Sequence, residues 1–434
     1  MKLFNDNVEE RYALAIERIK EIAEEPGLKT EGFADYFKCI AAFILKMDKL
    51  VNDLKADAYK DYSLEKCIEL NTGLYEDVIG KAYETSYANP AYAASKLGLS
   101  EGRLLSFLYV EIRGMIVYAY EGRMAEMTAL MELFVEVYCM CASTEEDCGK
   151  PDYKQMKDSV YWYVSDYLME YRVRELLDPE LDFATKIIME SDLTDVRYLY
   201  RFGEYVTDNE IKTAEYLNTL SEEAIQRMAD TFTEGYRIGF ELTGKDLSKK
   251  KTVNIRYCLG FERLVRAEIK NFEKLGLKPT IYRAAVNTIN KRLNIKVGYY
   301  GANPNKQMDF DHRFDNALYM DGEFIERKTG ALKLAYEKNK ELAAVHGGPA
   351  VMEVFGEVPF EPQIKSEALT LDAKQQKLSV KYSNDAGSIV NEYIKGEERS
   401  FTIIAYPIPE IGENFEEIFE GTVKINTLDY NKYK

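Results

Sequence analysis

Apolar residues recur at three- and four-residue spacing through the first half of the chain, in Tyr12, Ile16, Ile19 and Ile22 and again across residues 104–138. One apolar stripe per 3.6 residues marks an amphipathic helix, so residues 1–242 are expected to be all-helical, in about seven or eight helices. Breaks are expected at Glu25-Pro26-Gly27, at Asn89-Pro90, over residues 143–151 and at Asp178-Pro179, where Pro and Gly interrupt the hydrogen-bond ladder. Residues 196–206, VRYLYRFGEYV, fit either a short strand or a helix end. The last helix of this half is predicted over residues 221–241, opened by Ser221 with Glu222 and Glu223 in its first turn, and followed by Thr243-Gly244 and three lysines at 249–251.

Beyond that point the grammar changes. Short β-type runs alternate with helical stretches: TVNIRY at 252–257, a helix over 261–275, TIYRAA at 280–285, a helix over 326–341, an apolar run at 350–355, a helix over 371–382 and FTIIA at 401–405. Strand-helix alternation predicts a mainly parallel sheet with crossover helices on its faces. The expected fold is therefore α and α/β: an all-helical N-terminal domain, residues 1–242, followed by a three-layer α/β domain, residues 246–434. A length of 434 residues agrees with two cores rather than one.

Charge sharpens the division. From Asp246 onward 29 Lys and Arg face 27 Asp and Glu, so of the net charge of -17 the first 245 residues carry -19. An acidic surface repels phosphate backbones and anionic lipid, which argues against nucleic-acid and membrane partners. The start, MKLFNDNVEERY, has acids where a secretion signal needs an apolar core, and no apolar run is read as a membrane span. Six cysteines without a framework spacing read as free thiols, and a cytoplasmic location is expected.

Candidate chemistry is sparse. The two histidines, His312 and His346, sit in no HExxH and beside no cysteine pair. Asp309, Asp311, His312 and Asp315 are read as a solvated acidic loop, because the stretch lacks the glycine and terminal glutamate of a calcium loop. Cys139 and Cys141 with Cys148 are read as buried free cysteines on a helix tail, and His346-Gly347-Gly348-Pro349 as a turn before a strand. Glu111, Arg113, Glu121 and Arg123 are read as solvated ion pairs, and the tyrosine-rich stretches as packing. Walker A and GxGxxG motifs are absent.

Three blocks carry a family resemblance: LTGKDLSKKKTVNIRYCLGFERLVRAEIKNFEKLGLKPTIYRAAV, AYEKNKELAAVHGGPAVMEVFGEVPFEP and KGEERSFTIIAYPIPEIGENFEEIF. From Thr243 on, the chain resembles the N-terminal region of clostridial leucyl aminopeptidases of the aminopeptidase T and aminopeptidase S type. The strand and YP-x-P turn at 402–409 are its most specific part. The resemblance implies a metallopeptidase that releases N-terminal amino acids from peptide substrates with two divalent metal ions, zinc, cobalt or similar. In that family the ligands lie in a second domain further along, so no catalytic, cofactor-binding or metal residue is assigned here, and the chain alone is expected to be inactive. The ending LDYNKYK suggests a chain cut short, and a homodimer is compatible with the family. The alternative is a non-catalytic helical and α/β interaction module derived from such an enzyme.

Overall fold

The computed structural model describes residues 6–25, 27–166, 169–285 and 297–427. In the first half, α1 (Val8–Glu24), α2 (Glu31–Lys55), α3 (Leu64–Tyr75), α4 (Pro90–Leu97), α5 (Leu99–Ile112), α6 (Met115–Tyr120), α7 (Met124–Cys148) and α8 (Tyr153–Asp166) surround one core. The helices α9 (Met169–Leu177), α10 (Phe183–Glu190), α11 (Asp208–Thr219) and α12 (Glu222–Leu242) follow. The apolar run at 104–138 is one periodic stretch in sequence but three helices in space, because the chain turns at Arg113-Gly114 and again at Gly122, which takes φ +66°. Residues Val196–Phe202 form a 3-10 helix ended by Gly203 at φ 71°. Helix α7, missed as an apolar run, is long and apolar enough to cross a membrane, yet 61% of its apolar window is buried, with Met127, Leu130, Met131 and Phe134 in the core.

The second half contributes β1 (Thr252–Arg256), α13 (Glu262–Lys274), β2 (Lys278–Thr280), α14 (Lys306–Asp311), α15 (Gly322–Lys338), α16 (Lys340–Ala344), β3 (His346–Phe355), α17 (Ala373–Tyr393), β4 (Thr402–Pro407) and α18 (Phe415–Asn426). The four strands form one all-parallel sheet in the order β2-β1-β3-β4. The chain runs from β1 outward to β2, returns across β1 to β3 and continues to β4, so the winding reverses between β1 and β3. The run expected at 280–285 pairs earlier, at Lys278–Thr280, and beyond it Arg283 makes an isolated bridge to Tyr299.

One face of the sheet is apolar: Val253, Ile255, Ala350, Met352 and Tyr406 meet Phe232, Tyr236 and Phe240 of α12, Leu264, Ile269 and Phe272 of α13, and Phe419 of α18. Helix α9 lies against β1 and β2, and packs with α15 and α17 through Val173, Leu177, Leu332, Tyr336 and Ile389. The expected division at residues 242–246 thus separates elements that share a core, since α10, α11 and α12 precede it and pack with the sheet. The shift in charge and periodicity marks a change of secondary structure rather than of packing. The junction is also tied down: Lys245 Nζ donates to Arg399 O at 2.6 Å, and Lys250, 4% exposed, donates to Ala344 O at 2.9 Å.

The residues His346-Gly347-Gly348-Pro349 are not a preceding turn. They open β3 itself, beside a register shift between Thr252 and Asn254 of β1. Gly348 sits at φ +108°, and a Cβ there would lie 2.0 Å from Ser400 O. A bulge that lets the start of β4 approach this closely requires glycine. Gly348→Ala should therefore lower stability by roughly 2–4 kcal/mol. Gly387→Ala, on the exposed side of α17 with nothing near its Cβ, should raise it by up to about 1 kcal/mol. Urea midpoints at unchanged slope are the measurement, and equal midpoints for the two variants would remove the argument.

Candidate functional site

In a parallel sheet the strand ends at the carboxyl side leave a crevice where the winding reverses, and ligands bind there. Here a cavity of about 920 Å³ lies at that place, bounded by Arg256 at the end of β1 and Cys258 beyond it, Val354 and Glu357 of β3 and its exit, and Ile408 and Glu410 after β4. Helices of the first half close it from the other side through Arg113, Val117 and Arg172. The strand Thr-Val-Asn-Ile-Arg is central in the sheet, yet every second side chain is polar. A parallel strand covered on both faces normally reads as a continuous apolar run. This polar half is the signal for the site that the sequence carries.

The neighbouring wall is built by residues 297–302. Tyr299 N donates to Tyr282 O at 2.8 Å, Leu259 N donates to Tyr300 O at 2.9 Å, and Ala302 N donates to Tyr205 O at 2.9 Å, so this segment is sewn between β1, the extension of β2 and the helical half. Gly301 permits the approach, since a Cβ would meet Tyr205 O at 2.5 Å. The Tyr300 phenol is pushed well up by burial, then by the nearby Cys258, Glu357, Glu353 and Glu210. Glu210, 2% exposed, accepts from Thr207 N at 2.8 Å and Thr207 Oγ1 at 2.7 Å, and burial raises its carboxyl against these bonds. Glu410 accepts from Val358 N at 3.1 Å. Carboxylates thus gather on the Tyr300 side. The cavity continues along the polar face of the sheet to the amino ends of β3 and β4, where it is lined instead by His346 and Arg399, with Arg256 folding toward them from β1.

The usual anion cradle of such folds, the N-terminus of the first crossover helix, is filled by the chain itself. Glu262 opens α13 after Gly260, which takes φ +101°. Its Oε2 accepts from Gly260 N at 2.9 Å and from Tyr198 Oη at 2.6 Å. Burial pushes this carboxyl up to about 7, against its hydrogen bonds. A nucleotide phosphate would meet a side chain already in its place.

A buried ionic network holds the cavity's outer wall. Arg283, 4% exposed, donates to Glu121 Oε1 at 2.8 Å, pairs with Glu204 and donates to Phe202 O. Arg123 bonds Glu126 at 3.0 Å and Glu175 at 3.4 Å and lies 3.6 Å from the Tyr171 ring centroid, while Arg172 bonds Glu175 at 2.7 Å. The reading of Glu111, Arg113, Glu121 and Arg123 as solvated pairs is corrected: Glu111 and Arg113 are 4% and 7% exposed, and Arg113 pairs with Asp77. Their acids and bases fall on turns that face each other across helices, a relation that linear spacing does not show.

The acidic loop is likewise corrected. Asp311, His312 and Asp315 are 1%, 4% and 3% exposed. His312 Nδ1 lies 2.7 Å from Asp315 Oδ2 and Nε2 lies 2.7 Å from Ala88 O, so both nitrogens face acceptors and the charged ring is favoured. Asp311 pairs with Lys365 at 2.6 Å and accepts from Tyr83 Oη at 2.7 Å. Asp309 is held by Asn303 Nδ2 at 2.6 Å. Of the three cysteines, Cys141 is buried while Cys139 and Cys148 are exposed. Among the described residues no three His, Cys, Asp or Glu side chains gather as a metal site. The described residues supply no ready-made ligand set for two divalent ions.

Two outcomes follow for stability. Arg283→Met should cost about 3–5 kcal/mol at pH 8, because it strands buried carboxylates. Burial raises the Glu121 carboxyl but Arg283 and Arg123 together hold it low, so without Arg283 the deficit should shrink as pH falls and the stranded acids protonate. A deficit independent of pH would contradict this. For His312, burial opposes the charge, but Asp315, the Ala88 carbonyl and Asp311 outweigh it and raise the folded value. Its contribution is then full below the unfolded value of about 6.5 and is lost as pH rises through the higher folded value. The stability gap between the natural chain and His312→Gln should narrow from pH 6 to pH 9 in urea titrations. The cavity has to be interpreted from its own side chains, because no protein-family model, no curated protein and no solved structure matches the chain.

Proposed function

We propose that this chain is the peptide-receiving part of a cytoplasmic metal-dependent aminopeptidase, with the two divalent ions held by residues other than those described. The observation that carries the reading is the charge layout of the cavity: Glu210, Glu357 and Glu410 lie near Tyr300 at the carboxyl ends of the strands, Arg399 stands with His346 at the amino ends, and Arg113 and Arg172 are neutralised by Asp77 and Glu175. A short peptide is a zwitterion with an ammonium at one end and a carboxylate at the other, and a cavity whose two ends differ in sign accepts it in one direction. The resemblance from Thr243 onward supplies the reaction class, and six free cysteines suit a reducing compartment.

A second reading, a binding module without catalysis, draws on apolar side chains left exposed at and beside β4: Phe401 at 63%, Ile403 at 52% and Ile425 at 67%. Such a surface suits a protein partner. Calorimetric titration of the 434-residue chain with Leu-Gly-Phe should give saturable binding, with a Kd of about 1 mM or tighter. The same chain with added zinc or cobalt should not hydrolyse leucine amide. The protein purified from its source cell should do so in a chelator-sensitive way. Absence of peptide binding, together with inactivity of the source protein, would leave the module reading. Zinc-dependent hydrolysis by the 434-residue chain would overturn the placement of the metals.

A further inference from the structure

The polar face of β1 points to what the sheet side of the cavity recognises. Arg256 Nε donates to Asn254 Oδ1 at 2.7 Å, so the side chain folds back along its own strand instead of extending beyond the sheet edge. Asn254 is fixed for this purpose, being 0% exposed and donating through Nδ2 to Thr280 O at 2.9 Å. The guanidinium is thereby brought toward Thr252, whose Oγ1 lies 3.4 Å from His346 Nδ1. Arg399 arrives from the other direction. It precedes Ser400, whose N donates to Gly347 O at 3.0 Å and whose O abuts Gly348, so the bulge holds it beside His346.

From this geometry we propose that Arg256 and Arg399, grouped around His346 on the cavity wall, form a carboxylate subsite that reads the free C-terminus of a short peptide. The peptide part of the inference rests on the function proposed above.

Three further observations support it. First, Arg399 donates to the neutral Asn391 Oδ1 at 3.2 Å and has no carboxylate in ion-pair reach among the described residues. The buried Arg283, Arg123 and Arg113, by contrast, are each matched by acids. The nearby Lys250 is already paired with Glu398 at 3.2 Å. Second, His346 is 3% exposed, and burial, then Arg256, Arg399 and Lys250, hold its ring down at about 3. It stays neutral at working pH, and an imidazole N–H there can donate to an anion without adding a third charge. Third, the fold's usual anion cradle is closed by Glu262. Arg–carboxylate pairing is geometrically specific and suits a terminal carboxylate.

The wall beside this cluster is apolar. Tyr336, stacked on Tyr393 at 5.5 Å, lines the cavity with Val390 and Ile394. A carboxylate at the arginines places the side chain of the last residue against this surface, so the substrate class is short peptides with a free carboxylate and an apolar last residue.

The test is calorimetric titration of the full 434-residue chain with Leu-Gly-Phe as free acid and as C-terminal amide. The free acid should bind at least tenfold more tightly. Arg399→Gln should reduce that preference to twofold or less, and Arg399→Lys should keep part of it. Circular dichroism and urea midpoints check that the variants fold. Equal binding of acid and amide to the natural chain would overturn the subsite while leaving the peptide reading intact. If neither peptide binds, the peptide reading falls, and sodium acetate and inorganic phosphate then test the anion site alone. Acetate binding that is lost in Arg399→Gln would uphold the carboxylate subsite. Binding of phosphate in clear preference to acetate, or of neither, would overturn it.

Discussion

A guanidinium without water must be surrounded by its own acceptors, and Arg283 is such a group. Desolvating an ion of this size costs several kcal/mol even after relaxation, so the acceptors cannot be placed loosely. They come from separate parts of the chain: Glu121 from the turn between α6 and α7, Phe202 O from the end of the 3-10 helix and Glu204 just beyond it, with the Tyr299 ring 5.0 Å away. Arg283 itself lies three residues beyond β2. One side chain therefore fixes the helical half against the sheet. The cavity walls follow from that placement, because Glu204, Tyr205, Ala284 and Tyr300 all lie within a few residues of the network.

The sequence carried the secondary structure well and the packing poorly. Alternation of strands and helices after residue 246 correctly implied a parallel sheet, since β runs such as TVNIR and TIIAYP have few other uses between helices. The N-cap at Ser221 was legible because a serine before two glutamates is a local signal. Burial of charge was not legible. Glu121, Arg123, Asp311 and His312 look like surface residues in a linear reading, and only their cross-chain partners make them interior. The same applies to Arg256 and Arg399, which are 143 positions apart in sequence and are brought together by a glycine bulge that no local pattern announces.

A chain this acidic still buries cations, and most of them meet an acid inside. Most buried arginines close networks of carboxylates and stabilise the layers. The carboxylate of Glu262 plays the complementary part, filling a helix N-terminus that would otherwise attract foreign anions. Among the described residues the sheet face near His346 is a place where positive charge gathers without an internal acid to match Arg399.

The shared core has a consequence for how the protein is made. Helices α10 to α12 bury Ile188, Phe232 and Tyr236 against strands that lie later in the chain, and the last of these, β4, begins 160 residues after Leu242. At about 5–20 residues per second, roughly 10–30 s separate the emergence of these apolar faces from that of their last cover. During translation the helices around α2 and α7 have most of the partners of their core at hand, whereas α10 to α12 wait with apolar surface uncovered. The interval between helix and sheet, set by strand order alone, is the stretch of synthesis in which this protein most needs a chaperone.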